Sequence, residues 1–290
     1  MLVVGFDSSQ SLAIKIARIL KAKYTKVETR YFPDKETYLR YNTSLKGQTL
    51  MLVNSLYFPD QKILQVAFAA KTAKELGAKK VILFSPYMPY IRQDKRFKKG
   101  ECLSSKIFPK LLVGVDYFIT IDPHLHRYKS LSQIFKIKTK VLSSNKLIYN
   151  YIKRNFKNPI IIGPDKESYR WAKKIAKKLN VKSIILKKVR VTSHKVIIKK
   201  FNVNSIKDKQ VILLDDIIST GTTMLKTIKM LKNSNIKNIN VICVHGLFLE
   251  HSAKKLKKAG AKSIVSTNTI PSKYSKIDIS NLIKEVKNAF

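Results

Sequence analysis

The stretch Val211-Ile-Leu-Leu-Asp215-Asp216-Ile-Ile-Ser219-Thr220-Gly221-Thr222-Thr223-Met224 carries the densest chemistry in the chain. An apolar run of strand type meets two adjacent carboxylates, then hydroxyl residues around a glycine, then a helical pattern. That order puts Ser219 to Thr223 at a helix N-terminus, where free backbone N–H groups and the helix dipole attract a phosphate. Gly221 lets the backbone approach such a group closely. Asp215 and Asp216 fall at the carboxyl end of a strand, where ligands of open α/β sheets bind. A carboxylate pair there suits sugar hydroxyls or hydrated Mg²⁺. Neither GxxxxGK[ST] nor GxGxxG is present, so this is neither a Walker loop nor a dinucleotide fingerprint.

Five further segments carry reactive side chains. RYFPDKETYLR (Arg30 to Arg40) offers Phe32 to stack on a base, with the Asp34 and Glu36 carboxylates beside it for amino or hydroxyl groups. SPYMPYIRQDKRFKKGECLSSK (Ser85 to Lys106) contains Arg92 and Gln93; a guanidinium there has the fork geometry that grips polyphosphate. TIDPHLH (Thr120 to His126) ends a strand with Asp122 and His124, and IIGPDKESYRWA (Ile161 to Ala172) ends another with Asp165. ILKKVRVTSHKV, from Ile184, supplies Lys188 and Arg190 between Asp165 and the phosphate loop.

LLDDIISTGTT resembles the phosphoribosyl-diphosphate (PRPP) binding loop of type I phosphoribosyltransferases and of ribose-phosphate diphosphokinases. The other segments resemble the diphosphokinases alone: F-x-D-G-E, PY-x-x-Y-x-RQD, D-P-H, P-D-x-G-[GA] and a K-x-R catalytic loop, nearest to archaeal-type members. The resemblance spans nearly the whole chain. It implies transfer of the β,γ-diphosphoryl group of MgATP to the 1-hydroxyl of ribose 5-phosphate, giving PRPP and AMP. Phe32, Asp34, Lys35, Glu36, Arg92 and Gln93 would bind ATP, with His124 and Asp165 on the Mg²⁺ side. Lys188 and Arg190 would be catalytic. Arg190, Asp215, Asp216, Ser219, Thr220, Gly221, Thr222 and Thr223 would hold ribose 5-phosphate. The family's F-x-D-x-E loop usually reaches a neighbouring subunit's ATP site, which implies a homo-oligomer. Three positions depart from the family pattern. Lys35 replaces a glycine, Glu167 and Ser168 stand where small residues are usual, and Thr222 carries a side chain where a glycine is expected. If that last position needed a positive φ, a β-branched residue would be strained there.

The elements that must position these groups alternate. Apolar or β-branched runs recur at 1–5, 49–54, 80–85, 117–121, 159–163, 183–186, 210–215, 240–245 and 263–266. Helical periodicity fills 11–21, 61–76, 171–179 and 223–231, and Gly77 and Gly260 sit where helices end. The alternation predicts an α/β fold with mostly parallel sheets flanked by helices. LGAKKVILFS and AGAKSIVST echo each other in the two halves. Two similar phosphoribosyltransferase-like domains are expected, residues 1–143 on the ATP side and 144–290 on the ribose 5-phosphate side. The last ~15 residues are expected to return to the first domain.

The 290 residues suit two domains. A formal net charge of +40, from 58 Lys and Arg against 18 Asp and Glu, would attract polyanions. The lysines are scattered through every segment, which reads as a solvated surface rather than a nucleic-acid tail. Two cysteines without CxxC spacing, no basic leader and no apolar run long enough for a membrane helix lead to the expectation of a soluble cytoplasmic protein without a membrane partner. The alternative is a PRPP-binding regulator or non-catalytic homologue. Such a protein needs the phosphate loop but none of Arg92, Gln93, His124, Asp165, Lys188 and Arg190.

Overall fold

The computed structural model describes residues 1–185, 188–190, 196–198, 206 and 208–289. The chain forms two compact units, one of Met1–Ser143 with Ile279–Phe290, the other of Ser144–Asp278.

The first unit is built from β1 (Leu2–Gly5), α1 (Gln10–Leu20), β2 (Lys23–Lys26), β3 (Glu28–Tyr31), β4 (Thr37–Arg40), β5 (Thr49–Val53), α2 (Pro59–Glu75), β6 (Lys80–Phe84), α3 (Ser104–Leu111), β7 (Tyr117–Ile121) and β8 (Lys138–Leu142). Six of its strands pair in parallel, in the order β2-β1-β5-β6-β7-β8. Strands such as Thr49–Val53 and Tyr117–Ile121 are buried almost throughout, as sheets covered on both faces require. Helix α1 turns Leu12, Ala13, Ile16, Ala17 and Leu20 inward. Each fully buried Leu or Ile side chain of this kind stabilises the unit by about 1.5–3 kcal/mol. The closing segment, Ser280–Ala289, is a 3₁₀ helix packed on α1, with Leu282, Ile283 and Val286 buried.

The second unit runs α4 (Asn145–Asn155), β9 (Ile160–Gly163), α5 (Lys166–Leu179), β10 (Ser183–Ile185), β11 (Lys188–Arg190), β12 (Val196–Ile198), β13 (Val211–Ile218), α6 (Thr222–Asn233), β14 (Ile239–Gly246), α7 (Ser252–Lys258), β15 (Ala261–Thr267) and β16 (Ser275–Ile277). Its parallel sheet has the order β10-β9-β13-β14-β15-β16.

The two orders are the same pattern. In each, the chain leaves a first strand (β1 or β9) and forms the edge strand (β2 or β10). It then makes an antiparallel hairpin outside the sheet (β3–β4 or β11–β12) and returns on the far side of the first strand. The turn of the first hairpin carries Phe32 to Glu36, and the first strand of the second carries Lys188 and Arg190. The strand order reverses between β1 and β5 and between β9 and β13, the crevice where ligands of such sheets bind. Among the described residues no helix is long and apolar enough to cross a membrane.

Candidate active site

The phosphate loop follows β13 at the switch point of the second unit. Strand β13 continues to Ile218, pairing Asp215 with Cys243, Ile217 with His245 and Ile218 with Gly246 on β14. The acid pair therefore lies inside the last half of the strand, not at its very end. The ladder to β14 carries the strand past the point where the apolar run stops. Positive φ falls on Gly221, at 71°, where a Cβ would come within 3.1 Å of the Ser252 Cβ. Thr222 is the first residue of α6 and is not among the positive-φ residues, so its β-branched side chain is unstrained.

The loop is braced from behind. Ser252 Oγ donates to the Ser219 carbonyl at 2.9 Å, and the Leu249 N–H donates to the same oxygen at 3.1 Å. The N–H groups of Leu247 and Phe248 both donate to the Ile218 carbonyl. The first helical bond of α6 runs from Leu225 N–H to Gly221 O at 2.8 Å, and no side chain caps the helix. The N–H groups of Thr222, Thr223 and Met224 thus have no intrahelical acceptor, the condition for anion binding. The Thr220 and Thr222 hydroxyls lie 3.2 Å apart beside them, and both residues are exposed.

Asp215 is pushed well above the usual carboxylate range, first by burial, then by the negative charges of Asp216 and Asp165. The Asp216 N–H donates to Asp215 Oδ1 at 3.0 Å, which does not offset the desolvation, and the Ile217 N–H donates to Asp216 Oδ1 at 2.7 Å. Burial and the charges of Asp215 and Asp216 push the neighbouring Cys243 thiol up as well, so it stays neutral. Among the described residues no three His, Cys, Asp or Glu side chains converge closely enough to hold a metal alone. Three carboxylates within electrostatic reach of one another, all hard oxygen donors, nevertheless fit a hydrated Mg²⁺ completed by water and substrate.

Asp165 precedes α5 and caps it. The Ser168 N–H and Oγ both donate to Asp165 Oδ1, at 3.0 and 2.7 Å, and the Asp165 N–H donates back to Ser168 Oγ at 3.2 Å. This reciprocal pair explains the serine that departs from the family pattern. Gly163 allows the approach of α5, since a Cβ there would lie 2.4 Å from the Tyr169 Cα. Lys188 and Arg190 lie on β11, paired with Ile198 and Val196; their side chains fall outside the described residues.

In the first unit, the hairpin turn is held by Phe32 N–H to Glu36 O at 2.9 Å, Lys35 N–H to Phe32 O at 2.9 Å, and Glu36 N–H to Asp34 Oδ1 at 3.1 Å. Phe32, Asp34, Lys35 and Glu36 are all exposed, and Lys35 has φ 74°. The Arg30 guanidinium lies 3.9 Å from the Tyr38 ring centroid and 5.4 Å from that of Phe32, fixing the aromatic flank. Arg92 is exposed, whereas Gln93 is partly buried and accepts Ser104 Oγ at 3.1 Å. His124 is partly buried, its ring nearly parallel to that of His126 with centroids 6.2 Å apart.

Structure thus brings together Asp165, Asp215, Asp216 and the Ser219–Thr223 loop in one unit. Phe32 to Glu36, Arg92, Gln93 and His124 belong to the other. Several supporting contacts carry no sequence signal. Ser252 and the backbone of Leu247 to Leu249 brace the loop from distant positions. Tyr90, at φ 58°, hydrogen-bonds Asp60 at the start of α2. Asp94 lies 3.4 Å from both His126 Nδ1 and Arg127 Nε. Of these, Tyr90 and Asp94 stand inside the PY-x-x-Y-x-RQD motif.

Fold and site together define a protein with two phosphoribosyltransferase-type units. Residues 130–278 match the family described as phosphoribosyl transferase domain, and residues 1–115 match the N-terminal domain of ribose phosphate pyrophosphokinase. The chain belongs to the ribose-phosphate pyrophosphokinase family. It is similar to the ribose-phosphate pyrophosphokinase of Methanobrevibacter smithii, at 34% identity over 98% of this chain and 99% of that one. The Sulfolobus acidocaldarius enzyme of the same name is 31% identical over 99% of each chain. The fold is shared with phosphoribosylpyrophosphate synthetase from Mycobacterium smegmatis, with a TM-score of 0.85 and 23% identity over 99% of this chain and 98% of that one.

Proposed function

We propose that this chain transfers the diphosphoryl group of MgATP to ribose 5-phosphate, with the side-chain roles inferred from the sequence. The observation that carries the reading is the Asp215–Thr223 segment. There, uncapped amides at the start of α6 follow Asp215, which burial and the charges of Asp216 and Asp165 push well above the usual carboxylate range. The amides and the Thr220, Thr222 and Thr223 hydroxyls take the 5-phosphate, and Asp215 and Asp216 accept hydrogen bonds from the ribose hydroxyls.

The anomeric oxygen attacks the β-phosphorus. The new bond joins O1 to Pβ, the bond from Pβ to the α,β-bridging oxygen breaks, AMP departs with that oxygen, and the anomeric proton is lost. Such chemistry depends on positioning and charge neutralisation rather than on a protein nucleophile. Mg²⁺, which His124 and Asp165 would each help to hold, would supply charge neutralisation on the phosphates. Arg92 and Gln93 hold the ATP phosphates, and Phe32 stacks on adenine while Asp34, Lys35 and Glu36 meet its polar groups and the ribose. Lys188 and Arg190 bring positive charge to the transferring group, and Arg190 also meets ribose 5-phosphate. The hairpin is exposed at its tip, which suits an ATP site shared between subunits of a homo-oligomer. Cytoplasmic residence accords with substrates of this kind.

Phosphorus NMR of MgATP and ribose 5-phosphate incubated with the protein tests the reading. Growth of an anomeric diphosphate together with AMP is expected. Formation of ADP and inorganic phosphate would reject it as plain ATP hydrolysis, and no turnover with PRPP still bound would reject it in favour of a PRPP-binding regulator.

A further inference from the structure

We infer that Asp94 is a positioning residue that locks the Arg92–Gln93 segment to the turn bearing His124, an inference that rests on the ATP-side reading above. The Asp94 side chain is only 4% exposed, and its two oxygens face different partners. Oδ1 lies 3.4 Å from Arg127 Nε, and Oδ2, buried and without a hydrogen bond, lies 3.4 Å from His126 Nδ1. A carboxylate so shielded is costly unless it is paired, and Arg127 brings a permanent charge. Both partners follow His124 within three residues, whereas Asp94 follows Gln93 directly. One buried side chain therefore ties together two loops that leave different strands, β6 and β7.

The other side of the Arg92–Gln93 segment is fixed independently. Ser104 Oγ lies 3.1 Å from Gln93 Oε1 and 3.4 Å from the Tyr90 carbonyl, and Ser105 N–H donates to the Gln93 carbonyl at 3.4 Å. α3 thus sets the height of the segment, and the Asp94 clamp sets its distance from the His124 turn. Groups that must grip one polyphosphate need that distance held, because displacements near 1 Å cost about a hundredfold in such sites. Asp94 touches no reacting atom in this scheme and acts through Arg92, Gln93 and His124.

The test uses the full chain with Asp94→Asn, Arg127→Ala, Arg127→Lys and the Asp94→Asn/Arg127→Ala double substitution. Asp94→Asn and Arg127→Ala are expected to raise KM for ATP about tenfold, with kcat and KM for ribose 5-phosphate within about twofold of the parent. Arg127→Lys keeps the charge and should stay near the parent, and the double variant should be no worse than Asp94→Asn alone. An unchanged KM for ATP, equal movement of all three constants, or additive effects would overturn the inference. Amide exchange gives a readout independent of turnover: residues 122–128 should exchange faster in Asp94→Asn, and parent-like exchange there overturns the clamp. An inactive parent would reject the enzymatic reading and, with it, the ATP-positioning role, whereas an active parent with an indifferent Asp94→Asn variant rejects the clamp alone.

Discussion

Ser252 Oγ, at the first residue of α7, donates a 2.9 Å hydrogen bond to the carbonyl of Ser219 and so holds the phosphate loop in its bent form. The Cα of Gly221 passes so close that a Cβ would meet the Ser252 Cβ at 3.1 Å. Loop shape and helix α7 are thus one assembly.

Gly221→Ala should distort that assembly. A side chain at φ 71° costs about 1–2 kcal/mol before any contact is counted. Lower Tm and a several-fold rise in KM for ribose 5-phosphate are expected, with KM for ATP unchanged. Thermal melting and steady-state kinetics check both parts.

Lys35 occupies the left-handed position of the first hairpin, at φ 74°. Lys35→Gly relieves about 1–2 kcal/mol of strain and restores about 0.4–1 kcal/mol of unfolded-chain entropy. A small net gain follows, seen as an unchanged or slightly raised Tm. A fall of several degrees would show that the Lys35 side chain makes a contact worth more than the strain.

Asp215 gives a pH dependence of definite sign. Burial and the charges of Asp216 and Asp165 raise its folded pKa, so folding favours the protonated form. Its contribution is fully present below the unfolded value near 3.9 and is lost as pH rises through the folded value. At neutral pH Asp215→Asn should raise Tm by roughly 2 °C or more while weakening ribose 5-phosphate binding. Mg²⁺ should stabilise the parent more than the variant. Melting curves from pH 4 to 8, with and without Mg²⁺, check the sign.

The Tyr90 hydroxyl bonds Asp60, and that hydrogen bond, then burial and the Asp60 charge, pushes the phenol up to about 12. Stability from this bond is complete below the unfolded value near 10 and vanishes as pH rises through about 12. The parent should lose a small part of its Tm between pH 9.5 and roughly 12 that Tyr90→Phe never has. The bond is largely solvent-screened, so the effect is modest. Equal slopes in the two proteins would contradict it.

Apolar runs made most of the sheet legible, because strands such as Tyr117–Ile121 and Ile239–Gly246 are buried on both faces. The edge strand β8, KTKVL, faces solvent at Lys138, Lys140 and Val141 and left no such run. Helix α4 buries only Ile148 and Ile152 among polar neighbours, too sparse a stripe to read. The phosphate loop could be recognised from local order, since strand, acids, glycine and helix are contiguous. The brace from Ser252 could not, because it joins segments 33 residues apart. Likewise Asp94 stood in a motif, but its partners His126 and Arg127 are defined only by the sheet that brings two loops together.

The measurement that bears most directly on the central claim is AMP release from MgATP, with and without ribose 5-phosphate, in the parent and in Lys188→Ala. AMP that forms only with ribose 5-phosphate, and falls by at least about a hundredfold in the variant, is the predicted result. No AMP from the parent, despite tight binding of PRPP, would contradict it and mark the chain as a binding protein built on an enzyme's fold.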